Sequence, residues 1–473
     1  MPVRLTWKGR IVVSEAEIST SPTRTPDPRR WKILGLVGVA QLMLILDVTV
    51  VAIALPHLGA DLGLEREALT WVVSGYTLAF GGLLLLGGRA ADLFGARRLV
   101  LLGLVLFAGA SLLAGLGESG GMLLAGRVIQ GLSAAMLSPA ALSLVVTLFE
   151  GEERNRALGI WSSLGGSGAA LGVLLGGLLT AGPGWPWVFF VNVPVGLALV
   201  VALRAYLPPQ RRATSGRVDA LGAILVTAAT GTLTYALIRA GDKGWITMAT
   251  AGLVVAALLL YWAFAAWQRR TATPLMDIRL LTRRPVATGT LLILVATALM
   301  IMVFFLGTFY LQDHRGHGPL TTGLFFLPVA LATMAGANAA GRVIGRAGSR
   351  TLGVTGLLVA AAGMTAPALW ENTAATVAGI AVAAAGTGAL FVVASATALG
   401  QIEPHEAGLA SGILSTFHEF GASLGAAVVS SMAAAGIAGG DAAAFAPGFA
   451  AGAVVAAVAA LLTFFLTPKK PSP

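Results

Sequence analysis

Long runs of apolar residues, separated by short polar segments, form the dominant pattern along this chain. Each run approaches the roughly 20 residues that a helix needs to cross about 30 Å of hydrocarbon. Glycine, proline or charged residues bound every run, as is typical where helices end. The pattern predicts an all-α polytopic membrane protein with fourteen spans, numbered 1 to 14 in chain order, near residues 31–55, 68–88, 98–117, 122–147, 156–181, 187–206, 218–240, 245–267, 285–311, 320–344, 352–370, 374–400, 406–436 and 443–467.

Composition agrees with this pattern and excludes several classes of function. Of the 473 residues, 56 % are hydrophobic and 11 % are charged, whereas a soluble domain carries about 25 % charged residues. The chain has no cysteine, so disulfides, thiolate metal sites and cysteine nucleophiles are excluded. It also lacks a G-x-x-x-x-G-K-[ST] phosphate loop, which argues against ATP as the direct energy source. We therefore expect no enzyme, no metal and no cofactor.

The net charge of +10 reports topology, because the basic residues lie on one side of the predicted spans. Residues 1–30 have no signal-peptide core and are predicted to form a disordered cytoplasmic tail, with 468–473 as a second one. The positive-inside rule then places both termini in the cytoplasm of a multi-pass protein of the cytoplasmic membrane, with no nucleic-acid partner. Inside segments hold Arg29, Arg30, Lys32, Arg97, Arg98, Arg154, Arg156, Arg211, Arg212, Arg217, Arg269, Arg270, Arg283, Arg284, Arg342, Arg346, Arg350, Lys469 and Lys470; outside loops hold Arg66, Lys243 and Arg315, with Arg239 close by.

An internal repeat divides the chain. GRAADLFGARR (88–98) resembles GRVIGRAGSR (341–350), and ALGIWSSLGGSGAALG (157–172) resembles ASGILSTFHEFGASLG (410–425), at one common offset. That offset maps spans 1–6 onto spans 9–14 and leaves spans 7 and 8 as an insertion. Duplicated halves are typical of transporters, with the substrate site at their interface near the midplane. We predict a first bundle at 31–206, linkers and inserted helices at 207–283, and a second bundle at 284–467.

Four motifs resemble those of the major facilitator superfamily, and within it the fourteen-helix drug:proton antiporters. They are LDVTVVAIALP in span 1, GRAADLFGARR after span 2, GRVIQGLSAAMLSPA in span 4 and WPWVFFVNVPVG at the start of span 6. The resemblance implies a major-facilitator fold of two six-helix bundles plus two inserted helices, a proton gradient as energy source, and a monomer. One motif departs from the family: the G-P-x-x-G-G pattern that separates exporters from importers has Val173 after Gly172.

Asp47 and Arg127 are the first candidate proton-coupling residues. If span 1 ends near Pro56, Asp47 lies about 13 Å below its outer end, and Arg127 lies roughly 8 Å below the same surface in span 4. Buried charges in lipid are expensive and face the protein interior, so we expect the two to lie close together. Burial disfavours a charged carboxylate and a nearby cation favours it, so a change of access could switch the proton on Asp47. The alternative is that Asp47 only fixes helix packing, and we expect Arg127 to have a structural or electrostatic role.

His418 and Glu419 lie midway along span 13 and have no acidic counterpart in the first half. Adjacent residues point about 100° apart on a helix, so the two cannot line one face equally. Glu419 is a candidate second protonation or cation site, with an interhelical hydrogen bond as an equal alternative. For His418 we favour packing over coupling.

The loop after span 2 is a candidate gate. Asp92 precedes span 3, where a carboxylate suits a helix N-terminus, and Arg97 and Arg98 suit the loop. The family resemblance implies that this loop, including Gly88 and Gly95, latches the two halves on the inside and regulates their movement.

Two further sets of residues have candidate roles. Glycines spaced four apart in span 5 predict close helix packing, whether sliding or static: Gly168, Gly172 and Gly176. For three outer-loop residues we favour a solvated loop over a metal site: Asp313, His314 and His317.

The sequence therefore predicts a proton-coupled exporter of hydrophobic or amphipathic small molecules, drugs or antibiotics among them, that works by alternating access. A first alternative keeps the fold and imports a small solute by proton symport or facilitated diffusion. A second is a membrane receptor or scaffold that has lost transport, against which the buried charges argue.

Overall fold

The computed structural model describes residues 29–207, 218–400, 407–434 and 442–467. Residues 1–28 of the predicted first tail, the predicted second tail and the centre of the first linker lie outside these ranges. Within them every regular element is helical, including a π turn at Tyr310–His314 and a 3-10 turn at Ala442–Phe445. The α-helices are α1 (Arg30–Leu62), α2 (Arg66–Phe94), α3 (Ala96–Gly115), α4 (Gly120–Leu148), α5 (Gly151–Ala181), α6 (Trp187–Phe190), α7 (Asn192–Tyr206), α8 (Ala220–Lys243), α9 (Met248–Gln268), α10 (Ile278–Thr282), α11 (Arg284–Phe309), α12 (Pro319–Leu369), α13 (Thr373–Leu399), α14 (Ala407–Met432) and α15 (Ala446–Leu466).

Eleven helices in the described part of the chain are long and apolar enough to cross a membrane. One of them, α12, is 51 residues long and bends at Gly348, whose φ of 78° is not helical. The bend falls between predicted spans 10 and 11. The molecule is a multi-pass helical membrane protein.

Two helix boundaries differ from the sequence prediction. Helix α1 does not end near Pro56 but continues to Leu62 with the proline inside it. Asp92 does not lie at the start of the third helix: it belongs to the last turn of α2, and α3 begins only after Gly95. In both cases the polar residues that follow the apolar run are helical too, and the apolar run alone underestimates the helix length.

The sequence repeat is visible in matched backbone conformations. Gly95 and Gly348, which align in the repeat, have φ of 93° and 78°. Both break a helical path at a short turn, and only glycine adopts such a conformation without steric cost. The repeat also matches helix pairs, because α5 packs on α1 as α14 packs on α11.

The two predicted bundles meet along two seams, α2 against α14 and α5 against α12. Inserted helix α8 packs against both α2 and α14. Its Thr234 hydroxyl lies 3.1 Å from the Ser423 hydroxyl of α14, and Thr227 lies against Gly82 of α2. The insertion therefore flanks the first seam instead of standing apart from the bundles.

Candidate functional site

Asp47 of α1 and Arg127 of α4 form a buried ion pair. Arg127 Nη1 donates to Asp47 Oδ2, and both residues are 1 % exposed. The sequence placed the two charges at similar depth by assuming that span 1 ends near Pro56. Helix α1 continues to Leu62, and the structure nevertheless brings the two side chains together. Neither residue faces lipid.

Two amides complete the surroundings of the Asp47 carboxylate. Gln130 Nε2 and Asn192 Nδ2 donate to Asp47 Oδ1 at 3.0 and 3.2 Å, and Gln130 Nε2 also donates to Ser111 at 2.8 Å. Sequence reasoning missed both amides. A signal existed for Gln130, which is three residues from Arg127 and therefore on the same face of α4.

Arg127 is held by further contacts from α2 and α4. Its Nε donates to the Val72 carbonyl oxygen at 2.9 Å, and its Nη1 donates to Gln130 Oε1 at 2.9 Å. The guanidinium carbon also lies 4.4 Å from the ring centroid of Tyr76, within the range of a cation–π contact. The arginine is thus fixed in place with or without a charge on Asp47.

Three donors from two helices surround the Asp47 carboxylate. Arg127 and Gln130 of α4 and Asn192 of α7 all donate to it, and they occupy three of the roughly four acceptor sites that a carboxylate has. A buried polar group that loses its partner is costly, so these hydrogen bonds hold α1 against α4 and α7.

A cavity of about 210 Å³ lies beside this network, between α1, α5, α6 and α7. Asp47 and Asn192 are its polar lining residues. Val39, Leu175 and Val191 also line it and are at least a third exposed, so the cavity lies near the surface of the bundle. The Asp47 side chain itself is 0 % exposed, so the cavity adjoins this residue without exposing its carboxylate.

Glu419 and His418 point in different directions from α14. Glu419 is 9 % exposed and lies against α2, where a Cβ atom at Gly81 would come within 2.6 Å of the Cβ of Glu419. His418 Nδ1 lies 2.9 Å from the Thr297 hydroxyl of α11, and its ring lies 5.7 Å from that of Phe391. His418 Nε2 is 3.9 Å from Glu419 Oε1. As the helical spacing predicts, the two residues do not share one face.

Helix α2 touches both candidate sites. Tyr76 packs on Arg127, and Gly81, about 7.5 Å further along the helix, packs on Glu419. The two acids therefore lie on opposite sides of one helix, Asp47 in the first bundle and Glu419 in the second.

The predicted gate residues lie at the far end of α2. Asp92 and Arg98 are exposed, Arg97 Nη2 donates to the Arg204 carbonyl oxygen of α7 at 3.2 Å, and Gly88 faces Pro139 of α4. These contacts lie within the first bundle. The role of the loop as a latch stays a prediction.

At the opposite end of α2 the bundles are joined by hydrogen bonds. Arg66 Nη1 donates to the Ser430 carbonyl and hydroxyl oxygens at 2.9 and 2.7 Å. Gln312 Nε2 donates to the Ile53 carbonyl oxygen at 2.9 Å, and Gln312 Oε1 lies 3.1 Å from His57 Nδ1. This end, where α1 meets α2, is closed.

The glycine stripe of α5 faces α1 of the same bundle. A Cβ atom at Gly168 would lie 2.6 Å from Ile45, one at Gly176 would lie 3.0 Å from the backbone of Val50, and Gly172 faces Thr49. The contact of α5 with α12 of the other bundle instead uses two glycines that the sequence did not single out. They are Gly177, against Pro319 and Leu320, and Gly323, against the Val173 carbonyl oxygen.

The outer-loop histidines are packed against aromatic rings. The His317 ring lies 5.1 Å from that of Phe325, and the His314 ring lies 5.5 Å from that of Tyr310. In the part of the chain that the structure describes, no three His, Cys, Asp or Glu side chains form a group able to hold a metal.

Many apolar helices around buried charges define a polytopic membrane protein. The profile of the Major Facilitator Superfamily matches residues 37–426, and the chain belongs to this family.

Its relatives include named resistance and export proteins. The puromycin resistance protein of Streptomyces alboniger is 38 % identical over 423 residues, covering 87 % of this chain and 84 % of the relative. The cephamycin export protein of Amycolatopsis lactamdurans is 36 % identical over 401 residues, covering 83 % and 82 %. An auto-inhibited peptide transporter of the POT family shares the fold, with a TM-score of 0.66 at 16 % identity, covering 94 % of this chain and 99 % of that one.

Proposed function

We propose that the protein is a proton-coupled antiporter that exports hydrophobic or amphipathic small molecules, antibiotics among them, by alternating access. The observation that carries this proposal is the buried Asp47–Arg127 pair with its amide donors and adjoining cavity. The names of the relatives support an antibiotic or drug as substrate. A receptor or scaffold would have no use for a buried pair whose two charges both carry a desolvation penalty.

The proposed architecture has fourteen crossings in the cytoplasmic membrane, with both termini in the cytoplasm and a single chain as the working unit. Within the described residues, length and hydropathy identify eleven candidate crossings. In the proposed architecture α5 and α14 add two, and the bend at Gly348 divides α12 into two crossings instead of one. The distribution of Arg and Lys supports the orientation. The proposed energy source is the proton gradient, with no bound cofactor.

In the proposed cycle the proton reaches Asp47 from outside and leaves to the inside as substrate is exported. One charge that crosses 100 mV contributes about 2.3 kcal/mol, which supports a severalfold uphill gradient of a neutral solute per proton. Glu419, on the other side of α2, is proposed as a second protonation or cation site. His418, which contacts Thr297, is proposed to support packing there.

Direction of transport tests the proposal against an importer. A sensitive host that expresses the protein is expected to accumulate less of a fluorescent dye or antibiotic than a host without it. In everted vesicles an imposed proton gradient is expected to drive dye uptake, and a protonophore is expected to stop it. Higher accumulation of the dye or antibiotic in the host, or dye uptake that continues in the presence of the protonophore, would contradict proton-coupled export and favour a symporter or a facilitator.

Alternating access requires the closed end to open during transport. The chain has no cysteine, so Thr70→Cys with Ser430→Cys introduces the only two thiols, at a site where the two native hydroxyl oxygens lie 2.5 Å apart between α2 and α14. Oxidation is expected to join α2 to α14 and to reduce transport at least tenfold, with recovery on reduction.

The matched control is Ile45→Cys with Gly168→Cys, which joins α1 to α5 inside one bundle, where the two Cβ atoms would lie 3.2 Å apart. Its oxidised form is expected to transport normally. Normal transport by the oxidised inter-bundle pair would show that this end need not open.

A further inference from the structure

A second cavity lies away from the Asp47 network, between the inserted helices and the second bundle. Its volume is about 320 Å³, within the range of roughly 300–1,000 Å³ that is usual for ligand pockets. Helices α8, α9, α11 and α14 and the segment containing α10 form its walls. Its lining side chains are almost wholly apolar, with Tyr261, Phe264 and Phe420 among them.

The cavity runs from the end of the helices into the hydrocarbon region. Met276, Ile278 and Leu281 line it at the level where α11 begins, and Leu294 lines it about 15 Å deeper along α11. Within the bilayer an apolar space of this length suits a hydrocarbon chain better than water.

The segment that closes the cavity at the membrane surface is amphipathic. In α10, Ile278 and Leu281 line the cavity and Leu280 is 1 % exposed, whereas the Arg279 side chain is exposed. Exposed arginines continue on either side of this helix. From residue 269 to 284 the chain holds five arginines and one aspartate: Arg269, Arg270, Arg279, Arg283 and Arg284, with Asp277.

A buried polar network fixes this segment against the inserted helices. Asp219 Oδ1 accepts from Trp267 Nε1 at 2.8 Å, and Asp219 Oδ2 accepts from Gln268 Nε2 at 2.6 Å. Gln268 Oε1 then accepts from the Met276 backbone at 3.2 Å. The network ties the start of α8, the end of α9 and the chain before α10 together, so the apolar cavity and its basic rim form one preformed surface.

We propose that this surface binds one anionic phospholipid, with an acyl chain in the cavity and the phosphate against Arg279 and Arg284. Basic pockets between transmembrane helices on the cytoplasmic side suit anionic lipid headgroups, and the proposed orientation places this rim on that side. Charge complementarity selects the headgroup, and the apolar walls select an attached hydrocarbon chain over a free phosphate. The site does not depend on the direction of transport or on proton coupling.

Native mass spectrometry of the purified, delipidated full-length protein tests the site. Phosphatidylglycerol is expected to bind at least tenfold more tightly than phosphatidylcholine with the same acyl chains, since each arginine near a headgroup contributes about fivefold. Arg279→Gln with Arg284→Gln is expected to remove most of this preference. The matched control, Arg342→Gln with Arg346→Gln, neutralises two exposed arginines of α12 just before its bend at Gly348. It is expected to leave the lipid preference unchanged.

A second variant tests the cavity itself. Ala265 of α9 lines the cavity, so Ala265→Phe fills it. This variant is expected to weaken the binding of phosphatidylglycerol at least tenfold. Equal binding of the two lipids to the wild-type protein would overturn the proposal, as would equal effects of the two arginine pairs. Displacement of phosphatidylglycerol by glycerol phosphate alone would show a phosphate site without an acyl chain. Displacement by an exported dye, but not by competing lipid, would assign the cavity to substrate instead.

Discussion

Asp47→Asn is expected to abolish substrate-driven proton movement in everted vesicles and to reduce dye transport to the level of vesicles without the protein. The asparagine oxygen still accepts a hydrogen bond from Arg127, but the amide takes up no proton at neutral pH. Arg127 keeps its bonds to Val72 and Gln130, so we expect the variant to fold. Arg127 is then buried without a counter-ion, which lowers the free energy of unfolding by about 3–5 kcal/mol. A pH-sensitive dye reports the proton movement, and tryptophan fluorescence on heating reports stability.

The matched control for this variant lies on the same helix. Asp61, exposed near the end of α1, accepts one hydrogen bond from Trp185 Nε1 at 2.9 Å, which an asparagine oxygen also accepts. Asp61→Asn is expected to transport like the wild-type protein. Unchanged proton movement in Asp47→Asn would remove Asp47 from the mechanism and leave it a packing role. Equal losses in both variants would indicate a general effect of the substitution on α1.

Arg127→Gln is expected to lower the free energy of unfolding at least as much as Asp47→Asn. Arg127 is 1 % exposed, and its removal leaves the Asp47 carboxylate buried without a cation. Removing one partner of a buried ion pair costs about 3–5 kcal/mol. Arg127→Lys is expected to lower the free energy of unfolding by about half as much. Lysine keeps the charge but lacks the planar set of donors that reaches Val72, Gln130 and Asp47 together. Thermal unfolding of the purified protein measures both.

The double variant Asp47→Asn with Arg127→Gln separates packing from coupling. With both charges removed, most of the stability is expected to return, because replacing a whole buried ion pair by neutral groups is often close to neutral. The effects of the two substitutions on the free energy of unfolding are then strongly non-additive, as expected for residues in direct contact. Proton-coupled transport is expected to stay absent. A stable double variant that still couples dye export to protons would show that the pair only holds α1 and α4 together.

The ion pair could be predicted from the sequence because the prediction required only the rise of a helix and the cost of a charge in lipid. Helix rise converts residue number into depth, and lipid leaves buried charges no partner except one another. The partners Gln130 and Asn192 could not be assigned in the same way, because the sequence does not show what an amide within an apolar run contacts. Only the placement of α4 and α7 around α1 showed that both amides reach Asp47.

For the glycines of α5, too, the sequence indicated part of the packing and the fold decided the rest. The four-residue spacing of Gly168, Gly172 and Gly176 correctly indicated close packing, but spacing on one helix does not state which neighbour is approached. In the structure these three face α1. The contact of α5 with α12 of the other bundle involves Gly177 and Gly323, which follow no repeat spacing.

By itself, the sequence determined that the protein is a multi-pass helical membrane protein and a member of a transporter superfamily, and it predicted that the two buried charges lie close together. These features depend on local composition and on helix periodicity, which act within one segment at a time. Tertiary structure alone decided which helices meet across the bundles, which donors surround Asp47, and that α8 to α11 enclose an apolar cavity under a basic rim. Those features arise from side chains that are distant in sequence, and their contacts exist only once the helices have taken their positions in the bundle.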